Sequence, residues 1–146
     1  MRYTLLAIGL LGLLGSWLAI ASQTSRPNIE IVDPWVYETT GPTAMLHATI
    51  TNIGVKGDRL IRASAGLAAS VAILNALGQQ GDGFMIPADA EFVIGADVPR
   101  VELIGLTRSL KARDTFQLLL VFQRAGKARV NVRVEAVPGA SPRAAN

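Results

Sequence analysis

Residues 44–52 read A-M-L-H-A-T-I-T-N. Successive side chains of an extended strand point to opposite faces, so Leu46, Ala48 and Ile50 share one face and Met45, His47, Thr49 and Thr51 the other. That period of two predicts a strand with one side in a core. It recurs in residues 128–136, where Val130, Val132 and Val134 alternate with Arg129, Asn131, Arg133 and Glu135. Residues 115–122 are apolar at nearly every position, which predicts a central strand covered on both faces. Shorter strands are predicted at 29–31, 59–64, 70–76, 90–94 and 100–106, with turns at 54–58 and in the glycine-rich 78–83 (GQQGDG). Trp35, after Asp33-Pro34, is expected to plug one end of the core. No long amphipathic helical pattern follows residue 24, so the pattern predicts an all-β antiparallel β-sandwich over residues 29–137.

Ahead of the strands lies L-L-A-I-G-L-L-G-L-L-G-S-W-L-A-I, residues 5–20, and no charge occurs from Tyr3 to Ser25. A helix needs about 20 apolar residues to cross a bilayer. Leu5, Leu10, Leu14 and Ile20 supply the apolar face lipid requires, and Trp17 suits the interface. Arg2 before the stretch keeps the N-terminus in the cytoplasm by the positive-inside rule, sending the remainder outside. Ala19-Ile20-Ala21 also fits a signal-peptidase site, but the apolar run exceeds an ordinary signal core, which favours a retained anchor. The expected organisation is an anchor or uncleaved signal at 1–24, a linker at 25–28, the sandwich at 29–137 and a flexible tail at 138–146. The expected location is the cytoplasmic membrane of a bacterium, single-pass, with the domain in the periplasm.

Composition excludes several chemistries. The chain has no cysteine and one histidine, which removes disulfides, thiolate metal sites, histidine-based triads and multi-histidine zinc sites. Residues 29–106 carry four Lys/Arg against nine Asp/Glu, and residues 107–146 eight against two. Such a split fits either a dipolar docking surface or, more simply, charges mixed over one fold for solubility. No platform of aromatic and basic residues is present, so nucleic acid is not an expected partner. No G-x-S-x-G, H-E-x-x-H or phosphate loop occurs, and no enzyme is expected.

Several segments carry a family resemblance: I-E-I-V-D-P-W-V-Y at 29–37, A-T-I-T-N at 48–52, G-D-R-L-I at 57–61, I-P-A at 86–88 and L-I-G-L-T-R-S-L-K-A-R-D-T at 103–115. Over residues 29–136 the chain resembles the periplasmic copper(I) chaperones called PCuAC, which implies a cupredoxin-like sandwich. The resemblance also implies copper(I) held by histidines and methionines, the soft donors such a cation prefers. At the matching positions this chain has Leu74 for the first histidine, and Arg100 and Glu102 for a His-x-Met pair. Only Met85 retains its place. A guanidinium offers a cation no lone pair and one thioether is weak, so the expectation is a domain without its inherited copper site and without a cofactor. The alternative is a relocated copper(I) site from Met45, His47 and Met85.

The replacements suggest a surface for proteins. Ala72, Leu74 and Ala76 form an expected apolar strip beside Arg100 and Glu102, and an apolar patch rimmed by charge suits docking. The expected function is a non-catalytic, membrane-anchored accessory subunit of an integral membrane redox complex, a respiratory oxidase or a photosynthetic reaction centre. The alternative is a copper(I) chaperone delivering copper to an oxidase.

Overall fold

A computed structural model describes residues 28–97 and 99–139. The predicted anchor at 1–24 and the end of the predicted tail lie outside them. Among the described residues there are nine strands, no α-helix, and no helix long and apolar enough to cross a membrane. In chain order they are β1 (Ile29–Tyr37), β2 (Thr43–Asn52), β3 (Asp58–Ala65), β4 (Ala68–Leu74), β5 (Phe84–Ile86), β6 (Ala90–Ile94), β7 (Arg100–Leu106), β8 (Thr115–Phe122) and β9 (Gly126–Glu135).

The strands hydrogen-bond in the order β4-β7-β2-β1-β9-β8-β3-β5, with β6 on the second half of β2. β2 links the two layers because its ends have different partners: residues 43–46 pair with β7 and residues 48–52 with β6. Its alternation is as read from sequence, with Leu46, Ala48 and Ile50 buried and Met45, His47, Thr49 and Thr51 half-exposed. The result is a barrel-like sandwich around Val36, Leu46, Ile50, Leu60, Leu103, Leu118 and Phe122. One pairing departs from the antiparallel expectation. β1 runs parallel to β9, with Trp35 opposite Arg133.

Three local expectations change. β1 continues through Pro34, with an irregularity between Val32 and Trp35 where Asp33 adopts φ 52°. That irregularity resets the alternation, so Val36 enters the core and Trp35 stays half-exposed outside it. β8 is central in the order of strands but covered on one face only, with Leu119 and Val121 half-exposed. β4 ends at Leu74, which leaves Ala76 in an exposed turn. The glycine turn that follows is obligatory at Gly83. There φ is +83°, and a Cβ would stand 1.7 Å from the Leu60 carbonyl oxygen, a position only glycine occupies without strain.

The two buried polar side chains of the core fasten one end of the barrel. Asp58, on β3, accepts hydrogen bonds from the backbone N–H groups of Arg59 at 2.7 Å, Arg124 at 2.8 Å and Ala125 at 2.8 Å, clamping the β8–β9 turn. Asn52 donates through Nδ2 to the carbonyls of Lys56 and Pro87, each at 3.0 Å, and its Oδ1 accepts from the N–H of Gly54. Buried polar groups persist when their hydrogen bonds are made, and here the partners are loop backbone that no strand would otherwise satisfy. The T-N and G-D motif residues therefore do structural work.

Candidate functional site

The candidate site lies on the outer face of β4, β7, β2, β1 and β9, where strand register sets side chains in rows. Leu74 stands opposite Arg100. Ala72 stands opposite Glu102, which in turn stands opposite Met45. His47 stands opposite Trp35, and Trp35 opposite Arg133. Directly opposed residues share a face, so the positions singled out on 72–74, 100–102 and 45–47 come together. Ala76, beyond the strand, does not join them.

Ala72 is buried, while Leu74, Arg100 and Glu102 are half-buried. The apolar strip is therefore narrower than the sequence suggests. Arg100 Nε is buried and, among the described residues, meets no acceptor at hydrogen-bond distance. Its neighbour Glu102 stands off, with Oε2 at 3.9 Å. A buried donor left unpaired costs about 1–3 kcal/mol, so this guanidinium is a poor choice for stability alone.

Beside this pair is an aromatic cluster built on Trp35, which sequence reasoning placed in the core. Trp35 stacks on His47, ring centres 4.0 Å apart and planes 6° from parallel. Tyr37 meets both edge-on, at 4.7 Å from Trp35 and 5.6 Å from His47. Gly95 closes the histidine's other side, where a Cβ would lie 3.0 Å from Nδ1. Partial burial lowers the His47 pKa below its usual 6.5, because a charged ring there loses water. Tyr37, Met45, His47 and Glu102, with Glu38, Thr39 and Thr43, line a cleft of about 280 Å³. On the far side of Trp35, Arg133 pairs with Asp33 and Glu135. The cluster had a sequence signal. Trp35 and Tyr37 are two apart on a strand, so once Val36 is assigned to the core both rings must face outward.

Of the positions that the PCuAC resemblance assigns to a metal, 74, 100 and 102 carry no soft donor. Leu74 has no donor atom, Arg100 has no free lone pair, and Glu102 is a hard oxygen ligand. The relocated trio does not converge either. Met45 and His47 share a face of β2, but Met85 is on β5 opposite Arg59. Its neighbour Ile86 receives a hydrogen bond from Asn52, at the other end of β2. Seven strand residues separate Met45 from Asn52, roughly 23 Å at the usual rise, so Met85 cannot join Met45 and His47 around one ion. Among the described residues no group of three or more His, Cys, Asp or Glu gathers. The face thus holds flat aromatic rings, a thioether and an under-bonded guanidinium.

Comparison with known proteins places these features. Residues 29–134 match the family model described as LpqE-like, whose description carries the word lipoprotein. No curated protein matches the chain by sequence. Among solved structures the fold is similar to the apo PCuAC domain from PmoF1, at 20% identity and TM-score 0.71, covering 75% of this chain and 95% of that one. It is also similar to the copper-bound PCuAC domain from PmoF2, at 24% identity and TM-score 0.66, covering 75% and 94%. Copper(I)-bound DR1885 from Deinococcus radiodurans aligns at 20% identity and TM-score 0.62, covering 79% and 85%.

Proposed function

This chain belongs to the LpqE-like family and is a PCuAC-type domain, and from that premise we propose that it is a non-catalytic accessory subunit, tethered to the cytoplasmic membrane of a bacterium and docked on an integral membrane redox complex. The host is a respiratory oxidase or a photosynthetic reaction centre. The copper-bound state of two proteins of similar fold supports the choice of a redox host. The tether is the apolar stretch at residues 5–20. Although the family description names lipoproteins, the chain has no cysteine to carry a thioether-linked lipid, which leaves that stretch as the attachment.

One observation carries the reading: at positions that the PCuAC resemblance assigns to a metal stand Arg100 and Glu102, and Arg100 Nε is buried without a partner among the described residues, on the face that holds the half-exposed Trp35–His47 stack. Buried unpaired donors are rare and call for an explanation. A partner's carboxylate or carbonyl would supply the missing acceptor. Trp, Tyr and Arg are also the residues that most often dominate binding energy at protein interfaces. The test is extraction of the tagged full chain from native membranes in mild detergent. Co-elution with a multi-subunit complex showing haem or chlorophyll absorption is expected, and loss of that complex in Arg100→Ala. A monodisperse free chain with no partner overturns the proposal.

A second reading keeps copper(I) as cargo, favoured by Met45 and His47 facing one cleft beside Tyr37. Titration against a chelator of roughly micromolar affinity decides it, because a carrier must bind far more tightly than that. Failure to compete removes this reading.

A further inference from the structure

The end of the barrel opposite the β7–β8 loop has a feature that neither the core nor the aromatic face uses. The loop between β2 and β3 reads I-G-V-K-G, residues 53–57. Val55 is 93% exposed, the most exposed of the large apolar side chains described, and Ile53 is 65% exposed. Single exposed apolar residues are ordinary. These two sit where the chain enters the domain. The Ile53 N–H donates to the Asn28 carbonyl at 2.9 Å, and Asn28, Ile53, Val55, Lys56 and Arg124 border one cleft of about 330 Å³.

We propose that this end of the barrel docks on the surface of the bilayer, with Val55 and Ile53 entering the headgroup boundary and Lys56 and Arg124 contacting anionic lipid phosphates. The inference rests on the reading of residues 5–20 as the anchor. Seven residues, 21–27, separate the apolar stretch from Asn28, and that many span at most about 25 Å. The Asn28 end is therefore the one held at the membrane, and a short tether gives even a weak surface contact a high effective concentration. Lys56 and Arg124 are the cations at the mouth of this cleft. The one carboxylate buried here, Asp58, is enclosed by backbone N–H groups. Three exposed acids oppose the contact: Asp89, whose N–H donates to the Gly54 carbonyl, and Glu30 and Glu91, both opposite Thr51, two residues back along β2 from Ile53. Isolated Val and Ile side chains beside cations suit the interface, where apolar atoms meet the acyl boundary and basic groups the phosphates. Docked this way, β2 rises from the surface and holds His47 five residues above Asn52, roughly 16 Å along the strand. The aromatic face then clears the headgroups and faces sideways, toward a neighbouring membrane protein.

The absence of cysteine makes the test clean. Val55→Cys, and as a control Ser109→Cys in the loop after β7, each give the full chain a single thiol for a polarity-sensitive fluorophore. Each labelled chain is reconstituted in vesicles of phosphatidylcholine alone and of an equimolar mixture with phosphatidylglycerol. The label at residue 55 is expected to shift to the blue and to be shielded from aqueous iodide in the anionic vesicles, and the label at 109 to remain exposed. Lys56→Gln and Arg124→Gln, each made in the Val55→Cys chain, are expected to lower the docked-to-undocked ratio roughly fivefold, about what one basic residue contributes at such a surface. A residue-55 label as accessible as that at 109 overturns the proposal. So does shielding seen only in native membranes and not in lipid vesicles, which assigns this end to a protein partner. An alkaline wash judges the anchor separately: release of the chain refutes the anchor, while the label at 55 still decides the docking.

Discussion

Replacing Arg100 with methionine should make the isolated domain more stable. Methionine keeps an unbranched stem of similar reach against Leu74 and removes the buried Nε. The donor lacks an acceptor among the described residues, and leaving such a group dry costs about 1–3 kcal/mol. Against this stands the Glu102 contact at 3.9 Å, between side chains 32% and 26% exposed. Solvent screens that pair, and exposed ion pairs of this kind contribute about 0–1 kcal/mol. The balance is a gain of about 1 kcal/mol. For a domain of this size that raises Tm by about 4–8 °C, measurable by circular dichroism and by the urea midpoint at unchanged slope. On the proposed docking the same variant should also lose co-purification with the membrane complex, because a partner acceptor would no longer meet a guanidinium. A fall in stability beyond about 1 kcal/mol would refute the reasoning: Arg100 would then be fully bonded, and its place on the face explained by folding alone.

Asp58→Ala removes the acceptor of three backbone N–H groups and should destabilise by about 3–5 kcal/mol, given about 1–3 for each buried donor left unpaired and partial rescue by water; a melt within about 3 °C of wild type would sink the clamp. Burial lowers the His47 pKa below its unfolded 6.5. The unfolded chain therefore takes up this proton first, so the His47 contribution to stability is complete above 6.5 and declines as pH falls through and below it. Melts at stepped pH should show that decline, and His47→Phe, which keeps the ring stack on Trp35, should flatten it. Restoring soft donors with Leu74→His, Arg100→His and Glu102→Met should create copper(I) binding at least a thousandfold tighter than wild type, about 4 kcal/mol. The register places the three on one face, and a folded triple variant that fails to compete with a micromolar chelator would show that the lost site needed more than these residues.

Sequence alone determined the class of fold. The alternation in residues 44–52 and 128–136 reports which side of each strand meets a core, a local property of an extended chain, and the expected strands at 90–94, 100–106 and 115–122 coincide with β6, β7 and β8. The resemblance to PCuAC domains set Leu74, Arg100 and Glu102 side by side in expectation, and the strand register bears out that they share one face. The fate of Trp35 was not legible. A reset of alternation at Asp33 decides which of Trp35 and Val36 enters the core, and a backbone irregularity leaves no periodic signature. The separation of Met85 from Met45 and His47 likewise depends on which end of β2 meets β5. Nor does sequence spacing reveal that Val55, Lys56 and Arg124 gather where the chain enters at Asn28. Strand order and register bring together residues far apart in the chain, and they are fixed by the collective packing of nine strands rather than by any one of them.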